Sequence, residues 1–513
     1  MTAARTVAYN DDLLSQITQH FESPYRDDRE PLRVLRLAHR CLVHAATASL
    51  WRSVGPMELI ELLHYLPSSK VELSRKKQCL KIAPFLTPAD WDDWYKVARH
   101  VRSYTNTSHS ILHLLAQLVP HLPVHSAFFP ALRTVEWVAA GPSEEMALVT
   151  SHLCPNTPRT IHIRFAAGDI VRDVMPLIQI SPLSLFTLGL SHLPQASAPI
   201  LAILEMCQNL ADITLPIADL PLVTALSALG RLQYLQIHAL HKLDASHVYG
   251  FNGLVSLVLD DACIDAVSTL LPALTASSFS RFEACLLLDS DSMSFDKFLD
   301  LFVDYFSSRT LARLFLRASL CAEDLSLIPN TAYTLSKSTL RRLASCTSLQ
   351  SLQIDGVCGY GELDDELLLS ILSQLPQIRL LRLPYGGPDD VPALSYLFLE
   401  GISTRIPTLE DLEITLDLLE APLDQLPPPS QSRLSHLALG YSRISERADN
   451  LASLLRRLFP HLVDLTHDWR YDDSGSDDWE PLLIYHYHSD SMEALDKDMS
   501  NRFVDVCRAL GMY

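Results

Sequence analysis

The chain has 513 residues, of which 48% are hydrophobic and 20% charged, and its mean hydropathy is +0.12. This composition supports a large apolar core and excludes an intrinsically disordered polymer. The formal net charge of −19 has the wrong sign for neutralising nucleic-acid phosphates or an anionic membrane surface, so we expect neither as a partner. Leucine supplies 94 residues and glycine only 16, which disfavours enzymes built on glycine-rich loops.

The ten cysteines are dispersed from Cys41 to Cys507 without a C-x-x-C pair, which disfavours both a zinc ribbon and a disulfide framework. The first residues include Arg5, Asp11 and Asp12 and no apolar run of a secretory signal. We therefore expect a protein of the cytoplasm, the nucleus or both, without a metal or a cofactor.

Three short helices are predicted in the amino-terminal region, because apolar residues recur there at helical spacing. The first helix follows a capping Asn-Asp pair and presents Leu13, Leu14, Ile17 and Phe21. The second apolar run contains Leu32, Val34, Leu35 and Leu37, and the third ends at Leu50, Trp51 and Arg52. So few residues cannot bury all these groups among themselves, which predicts a protein partner for them.

Most of the chain carries a recurring unit, L-x-x-L-x-L, in which isoleucine, valine or phenylalanine sometimes replaces leucine. Good copies start at Leu185, Leu210, Leu232, Leu254, Leu311, Leu349, Ile378, Leu409 and Leu434. Weaker copies start at Leu132, Phe282 and Leu462, and Ile161 with Ile163 forms a partial one. The mean spacing of about 27 residues is typical of a leucine-rich repeat. The alternative is a generic leucine-rich α/β protein with chance spacing.

Each copy predicts a short strand followed by a helix. In the copy at Leu232, the alternation of Leu235 and Ile237 gives a strand with one buried face. The helix is clearest after Asp364 and Asp365, which can cap a stripe made of Leu367, Leu368, Ile371, Leu372 and Leu375. A strand and a helix this short cannot bury their own apolar faces, so neighbouring repeats must stack into a solenoid.

Two departures from the pattern predict an irregular solenoid. The asparagine usual three residues after the last leucine is replaced, by Ala262 in one copy and by Val357 in another. The gap from Leu311 to Leu349 implies an insertion near residues 329–337.

The strand residues that flank the buried leucines predict a binding surface, because alternate side chains of a strand point to opposite faces. We expect them on the concave face and assign target binding to Tyr234, Gln236, His238, Arg313, Phe315, Arg317, Arg382, Asp411 and Glu413. The densest group is Arg313, Phe315 and Arg317, which are residue types that often anchor interfaces. The alternative is a solvated face without a partner.

The carboxyl-terminal region is acidic, with ten Asp and Glu against three Lys and Arg from Tyr471 to Tyr513. Its aspartate-rich stretch lacks the alternating ligands and terminal glutamate of an EF-hand loop. His486 and His488 lack a third ligand at a recognisable metal spacing. A final apolar stripe predicts a helix that covers the open end of the solenoid, and it consists of Phe503, Val506, Cys507 and Leu510.

Several motifs of the first 140 residues carry a family resemblance. Leu13-Leu14-Ser15-Gln16-Ile17, Leu35-Arg36-Leu37-Ala38 and Ala48-Ser49-Leu50-Trp51-Arg52 together resemble an F-box, with Tyr9-Asn10-Asp11 in place of the usual opening Leu-Pro. Downstream, Leu86-Thr87-Pro88-Ala89-Asp90-Trp91, Ala98-Arg99-His100-Val101-Arg102 and Phe129-Pro130-Ala131-Leu132-Arg133-Thr134-Val135-Glu136-Trp137 are similar to the expanded F-box family of basidiomycete fungi.

The resemblance implies a non-enzymatic substrate receptor of an SCF (Skp/cullin/F-box) ubiquitin ligase, with the Skp adaptor and, through it, cullin as partners. It assigns the adaptor contact to Leu13, Leu14, Ile17, Leu35, Leu37, Leu50 and Trp51, for which a helical cap on the first repeat is the alternative. Two other classes stay open. One is a ubiquitin-independent leucine-rich-repeat scaffold for protein interactions, and the other is an enzyme whose catalytic residues come from distant positions.

These observations predict an α/β fold. We expect a three-helix F-box at residues 9–54 and a helical connector at 55–119. An irregular leucine-rich-repeat solenoid follows at 120–469, with a curved parallel sheet and helices on the convex side. An acidic carboxyl-terminal region with a capping helix occupies 470–513.

Overall fold

The computed structural model describes residues 30–38, 42–74, 79–83, 85–106, 109–138, 143–155, 158–163, 186–190, 198–240, 243, 250–274, 276–288, 294–307, 310–320, 335–355, 363–384, 393–419, 427–445, 448–467 and 490–512. The chain divides into two compact units, Met1–Tyr234 and Leu235–Tyr513. Within the described ranges, no helix is both long enough and apolar enough to span a bilayer.

The first unit is built on a ladder of parallel strands connected by helices. Its strands are β1 (Ser53–Val54), β2 (Val71–Ser74), β3 (Cys79–Ile82), β4 (Ser103–Asn106), β5 (Thr134–Trp137), β6 (Thr160–Ile163), β7 (Thr187–Leu190) and β8 (Asp212–Ala218). Its helices are α1 (Glu30–Ala38), α2 (Val43–Leu50), α3 (Pro56–Leu63), α4 (Asp92–Ala98), α5 (His109–Leu118), α6 (Ser143–Leu153), α7 (Ala198–Met206) and α8 (Leu220–Ser227). Strands β1, β4, β5, β6, β7 and β8 are neighbours in that order, and β2 and β3 form a separate antiparallel hairpin.

The second unit has the same strand-helix alternation. Its strands are β9 (Tyr234–Leu240), β10 (Ser256–Cys263), β11 (Arg281–Leu288), β12 (Arg313–Leu320), β13 (Ser351–Asp355), β14 (Leu380–Leu383), β15 (Asp411–Ile414), β16 (Asp417–Leu418), β17 (His436–Ala438), β18 (Arg443–Ile444) and β19 (Asp464–Thr466). Its helices are α9 (Ile264–Leu270), α10 (Phe295–Phe306), α11 (Lys337–Leu343), α12 (Asp365–Ser373), α13 (Tyr396–Arg405), α14 (Ala448–Leu458) and α15 (Asp490–Leu510). The main ladder runs in chain order from β9 to β15, then β17 and β19, while β16 pairs with β18.

The repeat unit explains this architecture, because its first, fourth and sixth positions are the ones that become buried. In the copy at Leu311, the side chains of Leu311, Leu314 and Leu316 are almost completely inaccessible to solvent. The fourth and sixth positions lie on the strand with one residue between them, so both point to the same face. This arrangement confirms the predicted leucine-rich-repeat fold.

The helices cover the buried face of the ladder with the predicted apolar stripes. Helix α12 begins where Asp364 Oδ1 accepts a hydrogen bond from Leu367 N at 2.8 Å, so Asp364 is its N-cap. Four apolar side chains of α12, together with Leu375 just after it, are buried as predicted: Leu367, Leu368, Ile371, Leu372 and Leu375.

Two expectations for the first unit are wrong. Strand β1 pairs with β4 through Ser53 and Ser103, and β4 pairs in turn with β5. The ladder therefore begins before residue 120, and the 55–119 segment is not purely helical, since it also contains the β2–β3 hairpin. A two-residue strand gives no alternation pattern, which is why the sequence did not reveal β1.

One predicted copy has the wrong register. The copy expected from Phe282 begins instead at Phe279, because Phe279, Phe282 and Ala284 are the buried residues. Cys285, expected to lie inside, is only half-buried. The sixth position of this copy is Ala284 and not a leucine, so the leucine pattern does not identify it.

The carboxyl-terminal helix α15 covers the last repeat. It packs along α14, and its Phe503, Val506 and Cys507 side chains are buried. The ring of Phe503 stacks on that of His467 with centroids 4.5 Å apart. Leu510, expected on the same stripe, is half-buried at the end of the helix.

A buried asparagine in β4 yields a stability prediction. Asn106 occupies the sixth position of its repeat, pairs in register with Trp137 and is fully buried. Neither polar atom of its amide has a hydrogen-bond partner among the described residues. An unsatisfied buried polar group costs about 1–3 kcal/mol, so we expect Asn106→Leu to raise the free energy of unfolding by about that amount. Urea denaturation measures it.

The matched control for this change is Leu190→Asn, at the sixth position of β7, which should lower the free energy of unfolding. A loss of stability in Asn106→Leu would mean that the native amide is satisfied.

Candidate functional site

The exposed face of the second ladder is the candidate binding surface. On β12, Leu314 and Leu316 point into the core, while Arg313 is exposed and Phe315 and Arg317 are half-buried. The alternation places these three side chains on the face opposite the core. We call the exposed and half-exposed strand residues of β11–β15 the strand face.

Strand register arranges this surface in rows. The three rows across β11, β12 and β13 are Arg281–Arg313–Ser351, Glu283–Phe315–Gln353 and Cys285–Arg317–Asp355. Residues in direct register on parallel strands are neighbours, so Phe315 lies within a frame of polar and charged side chains.

Most charges of the strand face are paired. Arg281 Nε and Nη2 donate to the two carboxylate oxygens of Glu283 at 2.7 and 2.9 Å. Arg317 Nε lies 3.7 Å from Asp355 Oδ2. Arg313 differs, because it forms no hydrogen bond or ion pair with any residue in the described part of the chain. A partner can therefore bind its guanidinium group without breaking an ion pair to any of those residues.

The other end of the strand face is held by Arg382. Its Nη2 donates to Asp411 Oδ2 at 3.0 Å, and its Nε lies 3.6 Å from Glu413 Oε2. The hydrogen bond to Asp411 raises the pKa of Arg382, and the two carboxylates stabilise its charge. These three predicted target-binding residues therefore lie together, with one more negative than positive charge.

The predicted residues of β9 form a separate cluster with β10. Gln236 Nε2 donates to Asp260 Oδ2 at 3.0 Å, and His238 Nδ1 contacts the same oxygen. Tyr234, the first residue of β9, is half-buried.

The residues assigned to the adaptor contact are divided. Leu13, Leu14 and Ile17 lie outside the described residues. Leu35 is half-buried in α1, and Leu37 in the same helix is 83% exposed.

The assignment of Leu50 and Trp51 to that contact needs correction, since both side chains are buried, with 7% and 3% exposure. Trp51 occupies the first position of the repeat that contains β1, the place that Val101 and Leu132 take in the next two repeats. Its indole packs edge-on against the ring of Tyr65 at 5.8 Å between centroids. The Leu-Trp-Arg motif thus begins a repeat, and the apolar side chains serve the core of the first unit.

No protein-family model matches the chain, and no curated protein matches it. Among solved structures, an internalin of Listeria monocytogenes aligns with 71% of this chain and 83% of its own at 14% identity, with a TM-score of 0.37. In the structure of the yeast Rad7–Elc1 complex, the matching chain is covered over 72% of its length and aligns with 73% of this chain. The identity is 14% and the TM-score 0.31. A protein of Bacteroides fragilis aligns with 63% and 75% at 12% identity, with a TM-score of 0.29. At such values the likeness assigns neither a family nor a function.

Sequence reasoning missed two groups of surface residues. Arg281 and Glu283 belong to the strand face but were hidden by the misplaced register at Phe282. Val34 on α1 and Val43 on α2 are 54% and 43% exposed. Both lie in apolar runs, and the sequence does not show which residues of such a run point to solvent.

The contrast between Trp51 and Leu37 is testable. We expect Trp51→Ala to lower the free energy of unfolding by about 3–5 kcal/mol, because it empties a core position. Leu37→Ala should change it by less than about 0.5 kcal/mol, because the side chain is exposed. Chemical denaturation measures both changes when it is followed by far-ultraviolet circular dichroism, which reports backbone structure and not tryptophan fluorescence. Equal effects would contradict the assignment of Trp51 to the core.

Proposed function

We propose that the chain is a non-catalytic protein-binding module whose strand face holds a target protein. The observation that carries this proposal is Arg313, which has no ion-pair partner among the described residues and lies beside Phe315, while the nearby Arg281 and Arg317 are paired with carboxylates. Arginine and aromatic residues are the most frequent anchors of protein interfaces. A partner carboxylate can pair with Arg313 without first breaking an ion pair to any described residue, so no internal contact of that kind has to be lost.

The paired charges around Arg313 fit the same role. Arg281 and Arg317 are held by Glu283 and Asp355, so their positions are fixed before a partner arrives. Preorganised side chains lose less conformational entropy on binding. The net charge of −19 favours a protein over a nucleic acid as the general class of partner.

Two buried cysteines, Cys207 and Cys346, fit the non-catalytic role proposed for the chain. Burial raises the pKa of the Cys207 and Cys346 thiols to about 11, so both are poor nucleophiles near neutral pH. Among the described residues, no group of three or more metal-ligating side chains is close enough to hold an ion.

Double substitution of the anchors tests the strand face. We expect Arg313→Ala with Phe315→Ala to abolish capture of target proteins that the wild-type chain retains from cells of its source. Each anchor should contribute about 2 kcal/mol or more, so the loss is at least about a hundredfold in affinity. Quantitative affinity capture of wild type and variant measures it.

The matched control is Leu397→Ala, which changes a half-exposed apolar residue on α13, away from the strand face. If the control loses the same proteins as the double variant, or the double variant loses none, the strand face is not the target site.

A finer assignment concerns the partner of the amino-terminal helices. We propose that the chain is the substrate receptor of an SCF-type ubiquitin ligase, in the cytoplasm or nucleus, docking on a Skp adaptor through α1 and α2. Support comes from the F-box resemblance and from three exposed apolar side chains on this packed helix pair, Val34, Leu37 and Val43. Clustered exposed apolar residues are typical of protein interaction sites.

In this role the chain would accelerate ubiquitin transfer without chemistry of its own. Holding the target near the charged conjugating enzyme raises the effective concentration of target lysines. Exposing the apolar surface of α1 and α2 to water is unfavourable, and covering this surface with the adaptor would remove that unfavourable free energy.

Co-purification with a Skp adaptor tests this assignment. We expect the wild-type chain to bind the adaptor and Leu37→Asp to lose it, because a charge replaces an apolar contact. Leu397→Asp is the matched control, since it places the same charge on another exposed leucine. If the adaptor does not bind the wild-type chain, the ubiquitin-independent scaffold is the function that is left. This outcome would not affect the strand-face proposal.

A further inference from the structure

A groove between α12 and α13 lies on the helical side of the second unit. Its volume is about 600 Å³, and its lining comes from residues 364–369 and 393–405. Proteins bind ligands in clefts of about 300–1,000 Å³, so this volume is large enough for a ligand. We call it the helix groove. It contains no residue of the strand face or of α1 and α2.

The floor of the helix groove is apolar. It forms where α12 and α13 come closest, because a Cβ on Gly401 would lie 2.2 Å from Leu369 Cδ1 and only glycine permits this approach. Leu369 is buried in that contact. Leu397 lies one turn before Gly401 on the same side of α13 and is 50% exposed. The groove thus presents an apolar side chain that water still reaches.

Carboxylates outnumber cations among the side chains that line the groove, four to one. The cation is Arg405, which donates from Nη1 and Nη2 to the two carboxylate oxygens of Glu366, both at 3.0 Å. Lys337, outside the lining, places Nζ 3.9 Å from Asp364 Oδ2. Two of the four carboxylates, Glu366 and Asp364, therefore already have a cation beside them.

The other two carboxylates, Asp365 and Glu400, lie on different helices and form no ion pair with a residue that the structure describes. Asp365 accepts hydrogen bonds from Ser395 N and Ser395 Oγ at 2.8 and 2.6 Å, and the positive end of the α12 dipole stabilises its charge. Glu400, in the middle of α13, has no such stabilisation from the described residues. A cation of a partner would supply it.

The spacing of these groups indicates the form of the partner. The contact with Ser395 places Asp365 beside the N-cap of α13, and Glu400 follows five residues later, about 7.5 Å along the helix. Leu397 lies between them. Residues four apart on a partner helix are about 6 Å apart along its axis, and flexible lysine side chains span the difference. A residue at i+3 lies on the same face of that helix.

We propose that the helix groove docks a short basic amphipathic helix of a partner protein. Basic residues at i and i+4 of that helix would pair with Asp365 and Glu400, and an apolar residue at i+3 would cover Leu397. An extended segment fits less well, because its successive side chains point to opposite sides. The proposal does not depend on the function proposed above.

A protein helix fits the groove better than other ligands. Small molecules are usually enclosed over most of their surface, whereas Ala393, Leu397 and Thr404 leave the groove open to water. Nucleic acids and anionic membranes would be repelled by the carboxylates. Because the groove is separate from the strand face, substitution of Leu397 should leave the target and the adaptor bound.

Fluorescence anisotropy with the full chain tests the proposal. The probe is a labelled alanine-based peptide of about 15 residues, a length at which isolated helices begin to form, with lysines at i and i+4 and leucine at i+3. We expect saturable binding that weakens as salt is added. Glu400→Lys should weaken it at least about tenfold, because like charges then face each other. Glu400→Gln, which keeps the side-chain shape, should weaken it about two- to fivefold.

The matched control for the chain is Glu205→Lys, which changes the net charge by the same amount at an exposed glutamate of α7 and should leave binding unchanged. The matched control for the probe has leucine at i+2, on the opposite face of the peptide helix, and should bind at least about threefold more weakly. Circular dichroism should show all chains equally folded. If Glu400→Lys does not fold, Glu400→Gln decides the test.

The proposal is overturned if the wild-type chain does not bind the probe, or if Glu205→Lys loses as much affinity as the Glu400 variants. It is also overturned if the peptide with leucine at i+2 binds equally well, since the attraction would then be one of charge alone. A simple diamine that binds as tightly as the peptide would show a small-molecule site and not a docking groove.

Discussion

Most of the described repeats depend on the burial of three positions against the helices. The first position turns inward before the strand, and the fourth and sixth point inward from it. Because the period of a strand is two, a shift of one residue would exchange the core and solvent faces. Every repeat therefore fixes the outward side chains as firmly as the inward ones. The strand face is a consequence of this constraint.

The periodic part of the fold could be predicted from sequence, because leucine spacing reports burial directly. The helix after Asp364 and the outward placement of Arg313, Phe315 and Arg317 followed from spacing alone. Prediction failed where the repeat uses other residues. Trp51 is an aromatic residue before a two-residue strand, so its surroundings show no alternation. The sequence therefore predicts a partner contact for a side chain that points inward.

The alignment of Arg52, Arg102, Arg133 and Arg159 in one row across four repeats escaped the sequence for a different reason. Arg52 and Arg102 are separated by a helix, a β-hairpin and another helix, so the row has no constant period along the chain. Their proximity depends on which strands become neighbours, and only the register of the ladder determines that. Net charge also concealed the row, since a total of −19 is an average that contains a local basic surface. Side chains that meet across repeats are thus the least accessible part of a repeat protein to sequence reasoning.

The burial of Trp51 also has a mechanical consequence. Helix α2 ends at Leu50 and β1 begins at Ser53, so Trp51 lies in the short connection between the helix pair and the ladder. Its side chain is buried in the core. A swivel at this point would have to expose an indole ring to water. A protein bound at Leu37 would consequently have a fixed orientation relative to the first unit, as it would not if a flexible linker joined the helices to the ladder.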